Sequence, residues 1–210
     1  SVNRYAEGSA LIKYGHTHVM CTASIEPSIP KWLQGQGKGW ITAEYGMLPR
    51  STHDRMNREK TAASGRSQEI SRLIARSLRS STNLFSLGER MITIDCDVQQ
   101  ADGGTRTAAI TGGFVALAQA MSYLRDREPN FKIPMTSMIS AVSVGMVNGE
   151  PLLDLCYLED SSAETDVNFV MNHNNAFVEI QGTAEEKPFT AEHLTQMSLL
   201  AQKGCAELFK

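Results

Sequence analysis

"RMITIDCDVQQADGGTRTAAITGGFVALAQAM", Arg90 to Met121, changes its hydrophobic period halfway along. In the first part Ile92, Ile94, Cys96 and Val98 alternate with Thr93, Asp95 and Asp97, the period of a strand with one buried face. In the last part Ile110, Phe114, Leu117, Ala118 and Met121, with Leu124 beyond, keep helical spacing. Gly112 and Gly113 would let that helix approach a neighbour closely. Between the two periods lie Asp102, Gly103 and Gly104, a turn. The stretch therefore reads as strand, tight turn and core helix.

The same turn raises a chemical question. Thr105, Arg106 and Thr107 fall at the start of the helix, where backbone N–H groups have no partner within it. Those donors, the helix dipole, the Thr105 hydroxyl and the fork of Arg106 make a site for a phosphate-like anion, with glycine allowing close approach. A plain turn capped by threonine, with Arg106 paired to Asp102, fits the same residues. A second helix start of similar make-up is Ser64, Gly65, Arg66 and Ser67, whose bland reading is a serine cap beside an exposed arginine.

Toward the N-terminus, "SALIKYG" and "THVMCTASI" flank a Gly-His connection and predict a hairpin, and "GWITAEYGML" predicts a third strand. The polar stretch "PRSTHDRMNREKTAASGRS" follows, with Met56 its only large apolar residue, and predicts a flexible basic loop. From Ser67 the pattern is helical, with Ile70, Leu73, Ile74 and Leu78 on one face and Arg72, Arg76 and Arg79 on another. Toward the C-terminus, Asn148-Gly149 between two apolar runs signals a hairpin. "DVNFVMN" and "AFVEIQGTA" bracket a turn at His173 to Asn175, and a last helix begins at a Thr190 cap, with Glu192 and His193 in its first turn. The class is α+β. A hairpin near the start of each half suggests a duplicated unit within one domain spanning 1–210, with a boundary near 125–138.

The chain has 210 residues, 41% of them hydrophobic, enough to bury a sizeable core. No secretion-signal pattern opens it, and no apolar run suggests a membrane span, so a soluble protein is expected. Cys21, Cys96, Cys156 and Cys205 are widely spaced, the first three in strand-like apolar runs, which predicts reduced core thiols and a cytoplasmic location. The net charge of -3 excludes a generally basic nucleic-acid binder, yet Arg50 to Arg79 carries about +5, leaving about -8 elsewhere. That asymmetry points to a local anionic partner or to a solvated helix face.

A third constellation is "YLEDSSAETDVNF", with Glu159, Asp160, Glu164 and Asp166 between two strands. Such carboxylates share a hard cation such as Mg²⁺ or donate a proton to a leaving oxygen. An acidic surface turn looks the same in sequence.

Five long phrases in order, "QGQGKGWITAEYGMLPRST", "GRSQEISRLIARSLRS", "ITIDCDVQQADGGTRTAAITGG", "AVSVGMVNGE" and "LEDSSAETDVNFVM…EIQGTAE", closely resemble the ribonuclease PH family of phosphorolytic 3′-to-5′ exoribonucleases. The resemblance runs from Ala6 to about Phe209. It implies a duplicated βαβ-type domain of the ribosomal-protein-like exoribonuclease PH fold, assembled as a homohexamer, a trimer of dimers. It implies that Arg66, Gly104, Thr105 and Arg106 hold inorganic phosphate, the co-substrate, and that Asp160 and Asp166 serve in Mg²⁺ binding and catalysis. Arg50, Arg55 and Arg58 would contact RNA. The implied reaction trims tRNA precursors and other RNA 3′ ends, releasing nucleoside diphosphates, with no membrane involved.

Three other readings compete. A non-catalytic RNA-binding ring subunit of an exosome-like complex could lack the arginines and aspartates that are present here. A small-molecule kinase would use "GQGKG", Gly35 to Gly39, as its nucleotide loop, but that run lacks a lysine-serine ending and leads into a strand, so it reads as a turn. A zinc site at His16, His18 or His53 has no partner spacing behind it.

Overall fold

The structure, a computed structural model, describes residues 2–58, 64–185 and 188–210. Lys60 and Glu59 of the basic segment lie outside the described residues. Eight strands form two four-stranded sheets among the described residues. In the first, β1 (Gly8–Tyr14), β2 (Thr17–Glu26), β3 (Trp40–Met47) and β4 (Met91–Gln100) take the order β1-β2-β4-β3. β1 and β2 form the expected hairpin, but β3 does not extend it; it pairs parallel to β4 at the far edge. A parallel neighbour requires a crossover, and α1 (Gly65–Ser80) supplies it, followed by the four-residue α2 (Leu84–Leu87).

α1 also closes the exposed edge of β3. Tyr45 N–H donates to Ser71 Oγ at 3.0 Å, and Arg79 Nη1 donates to the Ile41 carbonyl at 2.9 Å, so helix side chains satisfy edge groups that would otherwise invite another strand. Ile70, Leu73, Ile74 and Leu78 are buried as their spacing predicts. The basic face is partly structural: Arg79 lies over Trp40, and Arg76 pairs with Glu179.

In the second sheet, β5 (Ile139–Val147), β6 (Glu150–Leu153), β7 (Thr165–Asn172) and β8 (Phe177–Ala184) take the order β6-β5-β7-β8, all antiparallel. Asn148 and Gly149, at φ of 52° and 79°, make the predicted tight turn. The halves thus repeat a plan, a hairpin, a four-stranded sheet and a closing helix, without repeating strand order.

α3 (Thr105–Arg127) lies between the sheets, touching β1, β2 and β4 on one side and β5 on the other. By length and composition it could cross a membrane, contrary to the expectation from the apolar runs. Its apolar surface is instead taken up on both sides: Ile110, Ala116, Leu117, Ala120 and Met121 share one core with Ile94, Cys96, Ile139 and Val170. Such double-sided burial explains why this helix has no pronounced polar face. A Cβ on Gly112 would come 2.8 Å from Cys21 Sγ and from Ile12, so the close approach read from the glycine pair is real. The outer face of the second sheet is covered by α5 (Ala191–Leu208), whose Met197, Ala201 and Cys205 pack on Val142, Val144, Val167, Phe169 and Met171. Thr190 Oγ1 accepts from His193 N–H at 3.2 Å, the predicted cap.

All four cysteines are free, but Cys156 is not a strand residue as expected; it is half-buried at the N-cap of a four-residue helix, α4 (Tyr157–Asp160).

Candidate active site

A cavity of about 540 Å³ opens where the N-terminus of α3 emerges between the two sheets. Its walls bring together Arg66 from α1, Gly104 at the N-cap of α3, Thr105 and Arg106 in its first turn, Asp160 from the end of α4, and Asp166 from β7. These are the residues that sequence reading assigned to phosphate and to metal or acid chemistry.

The glycine turn makes the convergence possible. Gly103 and Gly104 have φ of 74° and 57°, the left-handed region that side chains disfavour. A Cβ on Gly103 would lie 2.1 Å from the Leu155 carbonyl oxygen, so the turn presses directly on the segment leading to Asp160. Thr17 Oγ1 clamps the turn, donating to the Gly103 carbonyl at 2.6 Å and accepting from Asp102 N–H at 2.8 Å. Asp102 is not the partner of Arg106 that the plain-turn reading expected; its Oδ1 accepts from Tyr157 N–H at 2.9 Å and so anchors α4. Gly103→Ala is expected to destabilise the fold by at least about 2 kcal/mol, from left-handed strain plus the clash, read as a lower denaturant midpoint. An unchanged midpoint would show that the turn relaxes at no cost.

The helix start itself stays open. Gly104 is the N-cap of α3 and no side chain caps it. The Thr105 hydroxyl bonds Tyr45 Oη at 2.8 Å in the buried wall, where either oxygen can donate; with Tyr45 as donor, the Thr105 hydroxyl keeps its own proton to offer an anion. Burial pushes the Tyr45 phenol up, and Arg66 and Arg106 oppose that rise. An anion here can meet the pair of arginines, the first backbone N–H groups of α3 and the Thr105 hydroxyl. At α1 the Ser64 side chain does accept from Ser67 N–H, so that end is capped as the bland reading held, with Arg66 projecting into the cavity.

The carboxylates separate by role. Glu159 Oε2 accepts from Cys156 N–H at 3.0 Å and serves as a helix cap, and Glu164 does not line the cavity. Asp166 does: burial pushes its carboxyl up, Asp160 raises it further, and Arg106, the Asn168 side chain and Arg66 oppose the rise. Asp160 is raised too, chiefly by desolvation, against the two arginines. Among the described residues four buried side-chain atoms lack a partner, and two of them, Asp166 Oδ1 and Ser143 Oγ, belong to residues of this cavity. Orphaned buried oxygens are costly and call for a reason, which a ligand in the cavity would supply for these two.

Arg50, Arg55 and Arg58 are exposed and form no ion pair with a described residue. Their loop is less free than expected at its start. Met56 N–H donates to the Pro49 carbonyl, Ser51 N–H to Leu48, and Ala101 N–H to Ser51, while Thr52 and Met56 reach the cavity wall.

Sequence reading missed Tyr45, Glu69, Ser143, Asn168 and Gln181. Asn168 carried a signal: it follows Asp166 by two on a strand buried on both faces, where polar side chains call for a reason. Gln181, on a more exposed strand, carried none.

Comparison with known proteins shows the family. Residues 1–122 match domain 1 of the 3′ exoribonuclease family and residues 137–204 match domain 2. A Ribonuclease PH of Bdellovibrio bacteriovorus is 57% identical over 209 residues, covering 100% of this chain and 86% of that one. Another, of Methylocella silvestris, is 58% identical over 210 residues, covering 99% and 89%. In fold, the chain is similar to a structure described as the Archaeoglobus fulgidus exosome with RNA bound to the active site, at a TM-score of 0.83 and 19% identity, covering 100% and 85%. It is similar also to an archaeal exosome core, at 0.77 and 18% identity, covering 99% and 82%. Both domains are matched in order along one chain that carries the arginines, the aspartates and the open helix start in a single cavity, and the protein belongs to the 3′ exoribonuclease family.

Proposed function

We propose that the chain is a phosphorolytic 3′-to-5′ exoribonuclease that trims tRNA precursors and other RNA 3′ ends, with inorganic phosphate as co-substrate. The observation that carries this is the cavity, where two arginines and an uncapped helix start face two carboxylates. A purely RNA-binding ring subunit has no use for that arrangement. The full-length relatives named Ribonuclease PH support the same reading.

Inorganic phosphate is already anionic at neutral pH, so no strong base is needed to activate it. The difficulty is to bring two anions together and to stabilise the charge that develops between them. Arg66, Arg106 and the N–H groups at the start of α3 hold the attacking phosphate. One of its oxygens forms a bond to the last phosphodiester phosphorus while the bond to the 3′ oxygen of the shortened RNA breaks. The product is a nucleoside diphosphate whose outer phosphate is the former inorganic one. Asp166, whose carboxyl is raised by burial and by Asp160, is the group we assign to protonate the leaving 3′ oxygen when it is neutral.

In the alternative role, with both carboxylates ionised, Asp160 and Asp166 fit Mg²⁺. Among the described residues no three His, Cys, Asp or Glu side chains gather as a metal cage, but Mg²⁺ binds through one or two carboxylates, water and substrate phosphates, and Asp166 Oδ1 is buried without a partner. When bound, the ion would neutralise charge on the reacting phosphates.

Arg50, Arg55 and Arg58 grip RNA phosphates outside the reacting pocket, and the assembled enzyme is a homohexameric ring, a trimer of dimers. Four free cysteines support a cytoplasmic location. Replacing Arg55 and Arg58 together by alanine is expected to weaken tRNA binding and to flatten its salt dependence by roughly 0.7 log unit per log unit of salt for each single-strand phosphate no longer neutralised. Turnover of a minimal RNA should suffer less. An unchanged salt slope in an intact oligomer would assign the two arginines to solvent. Digestion of a tRNA precursor with and without inorganic phosphate tests the whole reading: nucleoside diphosphates that form only with phosphate support it, and monophosphates count against it.

A further inference from the structure

We infer that Glu69 and Gln181 are positioning residues that set the orientation of Arg106 for the phosphate co-substrate, an inference that rests on the function proposed above. Three elements meet in one relay. Gln181 of β8 accepts through Oε1 from Arg106 Nη1 of α3 at 3.1 Å, and its Nε2 donates to Glu69 Oε1 of α1 at 2.6 Å. Glu69 stands behind the amide, 3.7 Å from Arg106 Nη1.

The polarity of the relay is forced. An ionised carboxylate only accepts and a guanidinium only donates, so the amide between them has one stable orientation. Glu69 therefore fixes which end of Gln181 meets Arg106. With Nη1 tied, no described residue takes a hydrogen bond from Nε or Nη2 of Arg106, and that edge is the planar donor pair that suits an oxyanion. The amide takes the direct hydrogen bond from Nη1 at 3.1 Å and leaves the Glu69 carboxylate at 3.7 Å, where it neutralises the arginine less than a carboxylate in direct contact would. Since α1 and α3 pack on the first sheet and β8 belongs to the second, the phosphate site is complete only when the two halves are docked.

The test is steady-state phosphorolysis of a short RNA at varied inorganic phosphate, in the assembled wild-type enzyme and in Gln181→Leu, Glu69→Leu and Glu69→Gln. Both leucine variants are expected to raise the KM for phosphate about tenfold, the scale of one lost hydrogen bond to a charged group. Their kcat at saturating phosphate should stay within about threefold of wild type, and the KM for RNA should not move. Glu69→Gln, whose amide oxygen can still accept from Gln181 but which loses the ion pair with Arg106 and the forced polarity, should raise the KM for phosphate less than Glu69→Leu does. Glu69 is more than a third exposed, so its two variants keep the test alive if Gln181→Leu does not fold. An unchanged KM for phosphate in the leucine variants would overturn the inference, as would equal damage from Glu69→Gln and Glu69→Leu. If wild-type turnover did not depend on phosphate at all, the proposed function would fail instead.

Discussion

Replacing Arg106 by alanine is expected to slow phosphorolysis by roughly two to three orders of magnitude, the size of losing one preorganised charge donor from a water-poor site. The loss should fall mostly on phosphate use, because Arg106 sits at the α3 start and its side chain is only 20% exposed, whereas the arginines assigned to RNA lie on the surface. RNA affinity should therefore change little. The fold should also survive: Arg106 contributes one hydrogen bond and a long ion pair, and none of the core. Near-normal turnover of Arg106→Ala at modest phosphate would show that the anion binds elsewhere.

Asp166→Asn is expected to lower turnover by about 10²- to 10⁴-fold while making the protein more stable at neutral pH. Both effects have one cause. Burial and the nearby Asp160 raise the carboxyl of Asp166 in the folded chain above its unfolded value. A carboxyl raised by folding costs stability once it ionises, so the cost is absent below the unfolded value near about 4 and grows as the pH climbs through the folded value. The amide carries no such cost. Without Mg²⁺, the melting temperature of Asp166→Asn should exceed wild type at neutral pH, and the difference should vanish near about pH 3. Added Mg²⁺ should raise the melting temperature of wild type more than that of the variant, since the ion loses a charged ligand. An active Asp166→Asn enzyme, or one less stable at neutral pH, would contradict this account.

Much of this was legible in the sequence because the relevant signals are local. Alternation over Ile92 to Val98, helical spacing from Ile110 to Leu124, the Asn148-Gly149 turn and the Thr190 cap each depend on a few neighbouring residues, and each appears where its pattern put it. The α+β class and the resemblance to the exoribonuclease family are likewise borne out. Arg66, Arg106, Asp160 and Asp166 do share one cavity. Relations between distant segments escaped. No local pattern says that β3 runs parallel to β4, that Tyr45 bonds the Thr105 hydroxyl, or that Gln181 reaches Arg106 across 75 residues. The acidic run needed the fold to sort it: four carboxylates close in sequence divide into a helix cap, one outside the cavity and two, Asp160 and Asp166, within it.

The central claim is that inorganic phosphate is the attacking group, and radiolabelled phosphate tests it most directly. Incubated with unlabelled RNA and the enzyme, the label should appear in the outer phosphate of the released nucleoside diphosphates, and in none when Arg106→Ala replaces wild type at the same exposure. Unlabelled nucleoside monophosphates as the product would mean that water attacks, and would contradict the account.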